Sequence, residues 1–171
     1  MVSTCEDPEG RPTVLSLLPP ELSQQQGIHP VGRLDTYSSG ALLLTNDGSL
    51  TYRMTRPSHE VSKVYRVTAD GDLSKQAIKS WQTGILLEGQ QTLPAKVTRL
   101  DQSTSSTTLE VILREGRNRQ IRRVADQLGH PVKRLHRLAI GNIQLGNLPP
   151  GAHRKLSEQE LKKLLTSEDS G

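Results

Sequence analysis

An aspartate flanked by glycines is the first feature of the sequence that could do chemistry. Asp35 lies between Gly32 and Gly40 in the segment GRLDTYSSG, just before the apolar run GALLLT. Glycine permits tight turns, so the backbone can bend sharply on both sides of this acid. A carboxylate held at the edge of a core can act as a nucleophile, a charge stabiliser or a base. The alternative interpretation is that Asp35 only caps a turn, through the amides of Thr36 or Tyr37.

An arginine-rich segment offers a partner for that acid. It reads REGRNRQIRR over residues 114–123, and Asn118 is predicted to cap a helix whose apolar stripe includes Ile121. Arg122 would lie beside the stripe and need a carboxylate partner, for which Asp35 is the candidate. The guanidinium would favour the charged carboxylate and orient it with paired hydrogen bonds. The side chains expected to face outward, toward phosphates, are Arg117, Arg119 and Arg123.

Positive charge is concentrated in one part of the chain. Residues 114–137 contain eight lysines and arginines and two acids, a net +6, so the other residues sum to −2 of the total +4. A basic segment on a mildly acidic body suits a partner with a phosphate backbone, although a solvated helix face explains the charge alone equally well. The chain has only three tyrosines, one tryptophan and no phenylalanine, too few for a large base-stacking platform. A nucleic acid would therefore be held mainly through its phosphates.

Hydrophobic periodicity and turn residues predict an α+β fold, with a mixed, largely antiparallel sheet flanked by a few helices. The predicted strands cover residues 40–45, 63–69, 94–100, 108–114, 132–140 and 142–145. Helices are predicted over 49–55, after the caps Ser74 and Asn118, and after a capping box at Ser157. The length predicts one domain over residues 1–165, followed by a frayed tail over 166–171.

Several classes of protein do not fit the sequence. There is no apolar run long enough to cross a membrane and no signal-peptide pattern, and the single cysteine cannot form an internal disulfide. We therefore expect a cytoplasmic protein. The five histidines show no metal-ligand spacing, and both the hydrolase elbow around serine and the phosphate-binding P-loop are missing. Neither a metal nor a nucleotide cofactor is expected.

Three segments in this order resemble a known family. GRLDTYSSGALLLTNDG, KVYRV at 63–67 and EGRNRQIRR at 115–123 are similar to the signature segments of the RsuA/RluB/RluE/RluF family of ribosomal RNA pseudouridine synthases. The flanking stretches at 7–19 and 129–151 also resemble that family's catalytic domain, so the resemblance covers residues 2–165. Members usually carry a small RNA-binding domain before this region. This sequence starts inside the region that follows, so we expect a shortened N-terminus with the catalytic residues retained.

The resemblance implies a role for each matching residue. Asp35 matches the catalytic aspartate, Tyr65 the tyrosine that stacks on the target uracil, and Arg122 the arginine paired with that aspartate. The RNA-binding residues implied or expected are Arg33, Arg117, Asn118, Arg119 and Arg123. Tyr65 as ordinary strand core and Arg33 as an ordinary surface charge are the alternatives.

The implied activity is the isomerisation of one uridine of ribosomal RNA to pseudouridine, after the nucleotide is flipped out, by a monomer without cofactors. One rival hypothesis is a non-catalytic RNA-binding or ribosome-assembly protein on the same fold. Such a protein would be expected to lose Asp35 or Tyr65, and both are present. An enzyme acting on a free nucleoside is disfavoured, because a small substrate does not need the basic segment.

Overall fold

A computed structural model describes residues 1, 3, 6–56 and 61–166 of the chain. Internal contacts divide the chain into two units, Met1–His59 with Ile140–Gly171, and Glu60–Ala139. The chain thus begins and ends in the first unit and forms the second from one continuous stretch. The single domain expected over 1–165 stays a prediction. The tail expected over 166–171 lies outside the described residues beyond Thr166, which ends the last helix.

The first unit contains short elements around a two-stranded ladder. Strand β1 pairs antiparallel with β3, and helix α2 packs against both strands. In chain order the elements are a 3₁₀ turn (Val14–Leu17), α1 (Pro20–Ser23), β1 (His29–Val31), β2 (Ser39–Gly40), β3 (Leu43–Thr45) and α2 (Gly48–Thr55). Strand β10 (Ile143–Gln144) and helix α5 (Glu158–Thr166) belong to the same unit and follow the second one along the chain.

Side-chain caps begin both of the longer helices of the first unit. Asp47 Oδ1 accepts hydrogen bonds from the amides of Ser49, at 2.9 Å, and Leu50, and bonds from these two residues lower the pKa of the Asp47 carboxyl. The capping box predicted at Ser157 is confirmed. Its Oγ accepts from the Glu160 amide at 3.1 Å, while Glu160 Oε1 accepts from the Ser157 amide at 3.0 Å.

The second unit is a sheet with two helices. Its elements are β4 (Lys63–Asp70), α3 (Lys75–Thr83), β5 (Leu86–Leu87), β6 (Gln90–Gln91), β7 (Lys96–Gln102), β8 (Ser106–Leu113), α4 (Gln120–Gln127) and β9 (Val132–Ile140). The long strands lie in the order β9, β4, β8, β7, and β8 pairs antiparallel with both β4 and β7. Strands β5 and β6 form a separate hairpin.

The core of the second unit follows from alternation along two paired strands. Val67 and Ala69 of β4 and Leu109 and Val111 of β8 are completely buried, and they pack with side chains of α3 and α4 that include Trp81. Burying a leucine or valine side chain contributes about 1.5–3 kcal/mol, so this layer supplies much of the unit's stability.

Most elements predicted from the sequence are confirmed. The α+β class and the mixed sheet are present, strand 132–140 has the predicted bounds, and helix α3 is capped by Ser74 and ends at Gly84. Glycine is required at that end, because φ is 111° and a Cβ would lie 2.6 Å from the carbonyl oxygen of Thr92. The apolar run 40–45 is interrupted and forms two short strands. Among the described residues, no helix is long and apolar enough to span a membrane.

One buried side chain joins the turn after β4 to strand β8. Thr107 is fully buried, and its Oγ1 donates to the carbonyl of Gly71 at 2.8 Å and accepts from the amide of Leu73 at 3.0 Å. Both backbone groups would be left without these bonds if the hydroxyl were removed.

We predict that Thr107→Val lowers the free energy of unfolding by about 2–3 kcal/mol, because a buried donor and acceptor lose their partner. Urea denaturation followed by the fluorescence of Trp81, the only tryptophan, measures this change. Thr108→Val, at the next position of the same strand, is the control and should change stability by about 0.5 kcal/mol or less. Equal effects of the two substitutions would contradict the assignment.

Candidate active site

The loop that carries Asp35 connects β1 to β2 in the first unit. It begins at Gly32, where φ is 75°, and reaches Gly40, where φ is 113°, so the glycines predicted to allow sharp turns do so. A turn within it closes through the main chain, because the Ser38 amide donates to the carbonyl of Asp35 at 2.9 Å. Asp35 is half-buried. The loop therefore presents a carboxylate at a defined place rather than on a mobile tail.

Three residues near Asp35 differ in their surroundings. Leu34 is tied at both backbone groups to the Ser3 hydroxyl, which accepts from its amide at 3.2 Å and donates to its carbonyl at 3.0 Å. Arg33 is exposed, and Tyr37 is 84% exposed. The loop is thus held on the side of Leu34 and presents polar and aromatic groups to solvent around the acid.

Tyr65 lies in the middle of the sheet of the second unit. Strand β4 places it opposite Val111 of β8, and its half-buried ring packs against the apolar core. Part of the ring is therefore fixed by packing, and part of it remains accessible to solvent. The position is compatible with both interpretations of Tyr65, as strand core and as a stacking residue.

A network of hydrogen bonds shapes the arginine-rich loop between β8 and α4. Glu115 Oε1 accepts from the amide of Leu93 at 2.8 Å and from Nε2 of Gln120 at 2.7 Å. The buried Gln120 completes the network, because its Oε1 accepts from the amide of Arg117 at 3.2 Å. We call Glu115 and Gln120 the loop brace. Sequence reasoning missed it, although a glutamate and a glutamine on either side of a glycine turn were a usable signal.

Two of the arginines that were expected to face phosphates form contacts with the β5–β6 hairpin. Arg117 donates from Nη2 to the carbonyl of Leu87 at 2.8 Å and from Nη1 to that of Gln90 at 3.1 Å. Arg123 forms an ion pair with Glu88 of the same hairpin. The hairpin itself was not predicted. Their contact with RNA stays a prediction, and any phosphate would have to share these guanidiniums with protein partners.

The start of helix α4 differs from the prediction. The helix begins at Gln120 after Arg119, which adopts a left-handed conformation with φ 49° and ψ 33°, so the prediction that Asn118 caps it is wrong. The reason is the loop brace. The buried Gln120 side chain accepts a hydrogen bond from the Arg117 amide and so fixes the backbone just before the helix. Asn118 and Arg119 are exposed at the tip of the loop. Their position suits contact with an external partner.

Arg122 lies where the helical pattern predicted it. It is half-buried beside the buried residues Ile121 and Val124, and its Nε atom is inaccessible to solvent. Tyr65, Arg122 and the loop at 114–119 belong to the second unit, while Asp35 and Arg33 belong to the first unit. The predicted pairing of Asp35 with Arg122 joins the two units and stays a prediction.

The side chains at the candidate positions are of the types used in acid–base and electrostatic catalysis. Within the described part of the chain, no three histidines, cysteines or acids are grouped so that they could hold a metal ion. The candidate site residues supply the carboxylate of Asp35, the guanidiniums of the arginines and the phenol of Tyr65. Such groups can move protons, stabilise charge and hold a planar ring.

Comparison with known proteins identifies relatives over most of the chain. The model of the RNA pseudouridylate synthase family matches residues 1–127. Ribosomal large subunit pseudouridine synthase B of Bacillus subtilis is 35% identical over 173 residues, which cover 100% of this chain and 70% of that protein. A protein of Aquifex aeolicus, named as an uncharacterized RNA pseudouridine synthase, is 38% identical over 157 residues, covering 92% of this chain and 62% of that protein.

The fold agrees with that of a solved pseudouridylate synthase. A crystal structure of a pseudouridylate synthase superposes with a TM-score of 0.86 at 34% identity, covering 95% of this chain and 68% of that one. The predicted fold class and the predicted family resemblance are therefore confirmed. The chain spans about two thirds of the length of these relatives, from 62% to 70%.

We predict that Gln120→Ala loosens the arginine-rich loop. The Arg117 amide and the Glu115 carboxylate each lose a hydrogen bond, so hydrogen exchange at the Arg117 amide should accelerate about tenfold, and stability should fall by about 1–3 kcal/mol. Site-resolved hydrogen exchange measures the first effect, and chemical denaturation the second. Gln127→Ala, at the exposed last position of the same helix, is the control. Unchanged exchange at Arg117 would exclude the brace.

Proposed function

The chain belongs to the RNA pseudouridylate synthase family, and from this premise we propose that it isomerises a specific uridine of ribosomal RNA to pseudouridine, with Asp35 as the reacting carboxylate. The observation that carries the proposal is the family match over residues 1–127. This range includes the Asp35 loop, the Tyr65 strand and the Arg122 helix together.

The reaction requires groups of these types. The bond between ribose C1′ and uracil N1 breaks, the uracil turns, and a bond forms between C1′ and C5. C5 then loses its proton, and N1, which no longer bonds to the ribose, takes up a proton, so the atoms balance. A carboxylate serves as nucleophile or charge stabiliser in the first half and as a base in the second. Attack on the ribose, attack on the base and elimination all use an ionised acid at this point. The isomerisation is redox-neutral, so a redox cofactor has no task in it.

The other residues take supporting roles in the proposal. Tyr65 holds the uracil against its half-exposed ring while the base is detached. Arg122 pairs with Asp35 and orients its oxygens. The target nucleotide must leave its stack before its atoms can be reached, so the protein has to hold the surrounding RNA backbone during flipping.

The proposal assigns the RNA-backbone contacts to exposed polar and basic side chains. Arg119, Asn118 and Arg33 are exposed, and we propose that they contact phosphates or sugars near the flipped nucleotide. Arg117 and Arg123 contribute charge to the same surface while bound to the hairpin. We further propose that the protein acts as a monomer in the cytoplasm, with ribosomal RNA as its partner.

We predict that Asp35→Asn lowers pseudouridine formation by at least about 10⁴-fold and leaves RNA affinity nearly unchanged, because the amide keeps the size of the side chain but not its charge. Chemical mapping of pseudouridine in ribosomal RNA treated with each variant measures the activity, beginning with the large-subunit RNA named for the Bacillus relative. Asp47→Asn is the matched control, since asparagine is also a good helix cap. Full activity of Asp35→Asn would remove Asp35 from the chemistry, and an inactive wild-type protein that binds RNA would favour the non-catalytic hypothesis.

We predict that Arg119→Asn weakens RNA binding and reduces its salt dependence. Asparagine tolerates the left-handed backbone of this position, so the substitution removes the charge without straining the loop. The slope of log K against log salt concentration should become shallower by about 0.7–0.9, the value for one phosphate contact. Lys162→Gln, on the exposed face of α5, should leave the slope as it is. A slope unchanged by Arg119→Asn would exclude a phosphate contact at this residue.

A further inference from the structure

Strand β4 carries a charged residue on its core-facing side. Alternate side chains share one face of a strand, so Lys63 lies on the same face as Tyr65, Val67 and Ala69. Burial decreases along this face, from the fully buried Ala69 and Val67 to the half-buried Tyr65 and Lys63. The core face of the strand therefore ends in an aromatic ring followed by an ammonium group, separated by about 7 Å along the strand.

The surroundings of the ammonium group are basic. Lys63 pairs with Leu113, the last residue of β8, and its Nζ reaches the arginine-rich loop, where a Cβ on Gly116 would be 3.6 Å away. Arg137 of β9, 5% exposed, is the charged group that acts on it. Burial and, second, this guanidinium hold the pKa of Lys63 below its usual value.

This arrangement is unfavourable for the protein alone. Partly burying an ammonium costs free energy, and a nearby guanidinium adds repulsion. A methionine or leucine at this position would fill the same space without either cost. An anion bound against Nζ would offset both effects, and Gly116 places no side chain against Nζ from the loop.

We propose that the Lys63 ammonium binds the phosphate group of the nucleotide whose base lies on Tyr65. The inference rests on the proposed function, since it assigns the base to Tyr65. A single nucleotide can span the two groups, because both side chains lie on one strand face two residues apart. The shared chemistry is that of a phosphate monoester or diester, and a free phosphate ion is the competing source.

The experiment uses the full chain and three probes: uridine 3′-monophosphate, uridine and inorganic phosphate. Binding is measured by calorimetry and by shifts of the Lys63 side-chain resonances. We expect the monophosphate to bind at least about tenfold more tightly than either uridine or phosphate, because it engages ring and ammonium together. Equal affinity for the monophosphate and inorganic phosphate would overturn the assignment to a nucleotide.

Substitutions separate charge from packing. Lys63→Met should lower affinity for the monophosphate about tenfold or more and leave uridine affinity unchanged, while Lys63→Arg should restore most of the loss. Lys63→Met should also fold at least as stably as the wild type, by Trp81 fluorescence, because it removes a partly buried charge. Lys96→Met, an exposed lysine of β7, is the control. Unchanged monophosphate binding in Lys63→Met would overturn the proposal.

The two proposals fail in different ways. With ribosomal RNA as substrate, Lys63→Met should raise KM and leave kcat within about threefold, as expected for a group that binds and does not react. If the wild type forms no pseudouridine and Lys63→Met weakens monophosphate binding, the proposed function is refuted and the phosphate site is kept. An active wild type with unaffected binding in Lys63→Met would refute only the phosphate site.

Discussion

The antiparallel ladder between β4 and β8 determines which side chains of the second unit meet the core. It joins eight consecutive pairs, from Lys63 and Leu113 to Asp70 and Ser106. Because the side chains of a strand alternate, a slip of one residue would turn Tyr65 and Lys63 to the opposite face and bring Arg66 toward the core. The burial of Val67, Ala69, Leu109 and Val111 prevents that slip. The candidate site therefore depends on apolar packing several residues away from it.

The arginine-rich loop holds several positive charges close together, and contacts within the protein stabilise it against their repulsion. Arg117 and Arg123 direct their charges to carbonyls and to Glu88 of the hairpin, and the loop brace satisfies the amides of the turn. These contacts order the loop within the protein itself. Arg119, in its left-handed conformation, lies at the exposed tip. The loop thus combines arginines bound to the hairpin with an arginine exposed at its tip.

Local signals predicted most of the fold. The caps at Ser74 and Ser157, the end of α3 at Gly84 and the strand at 132–140 depend on residues close in sequence, and each is confirmed. The hairpin of β5 and β6 escaped prediction because its four strand residues are too few to show a period, and its partners lie some thirty residues away in Arg117 and Arg123. Asn118 was wrongly chosen as a cap for a different reason, since the buried Gln120 nearby accepts from the Arg117 amide and outweighs the cap preference of asparagine.

The sequence by itself determined the family and the α+β class, and it supplied the acid, the tyrosine and the arginines that the proposal assigns to the site. These properties lie in residue types and short spacings, which are read without knowing what lies nearby in space. Only the tertiary structure decided which arginines are bound to the hairpin, that Gln120 is a buried brace, and that Lys63 stands beside Arg137 and Gly116. Such assignments depend on contacts between residues far apart in the chain, where burial and neighbouring charge set the free energy of each group.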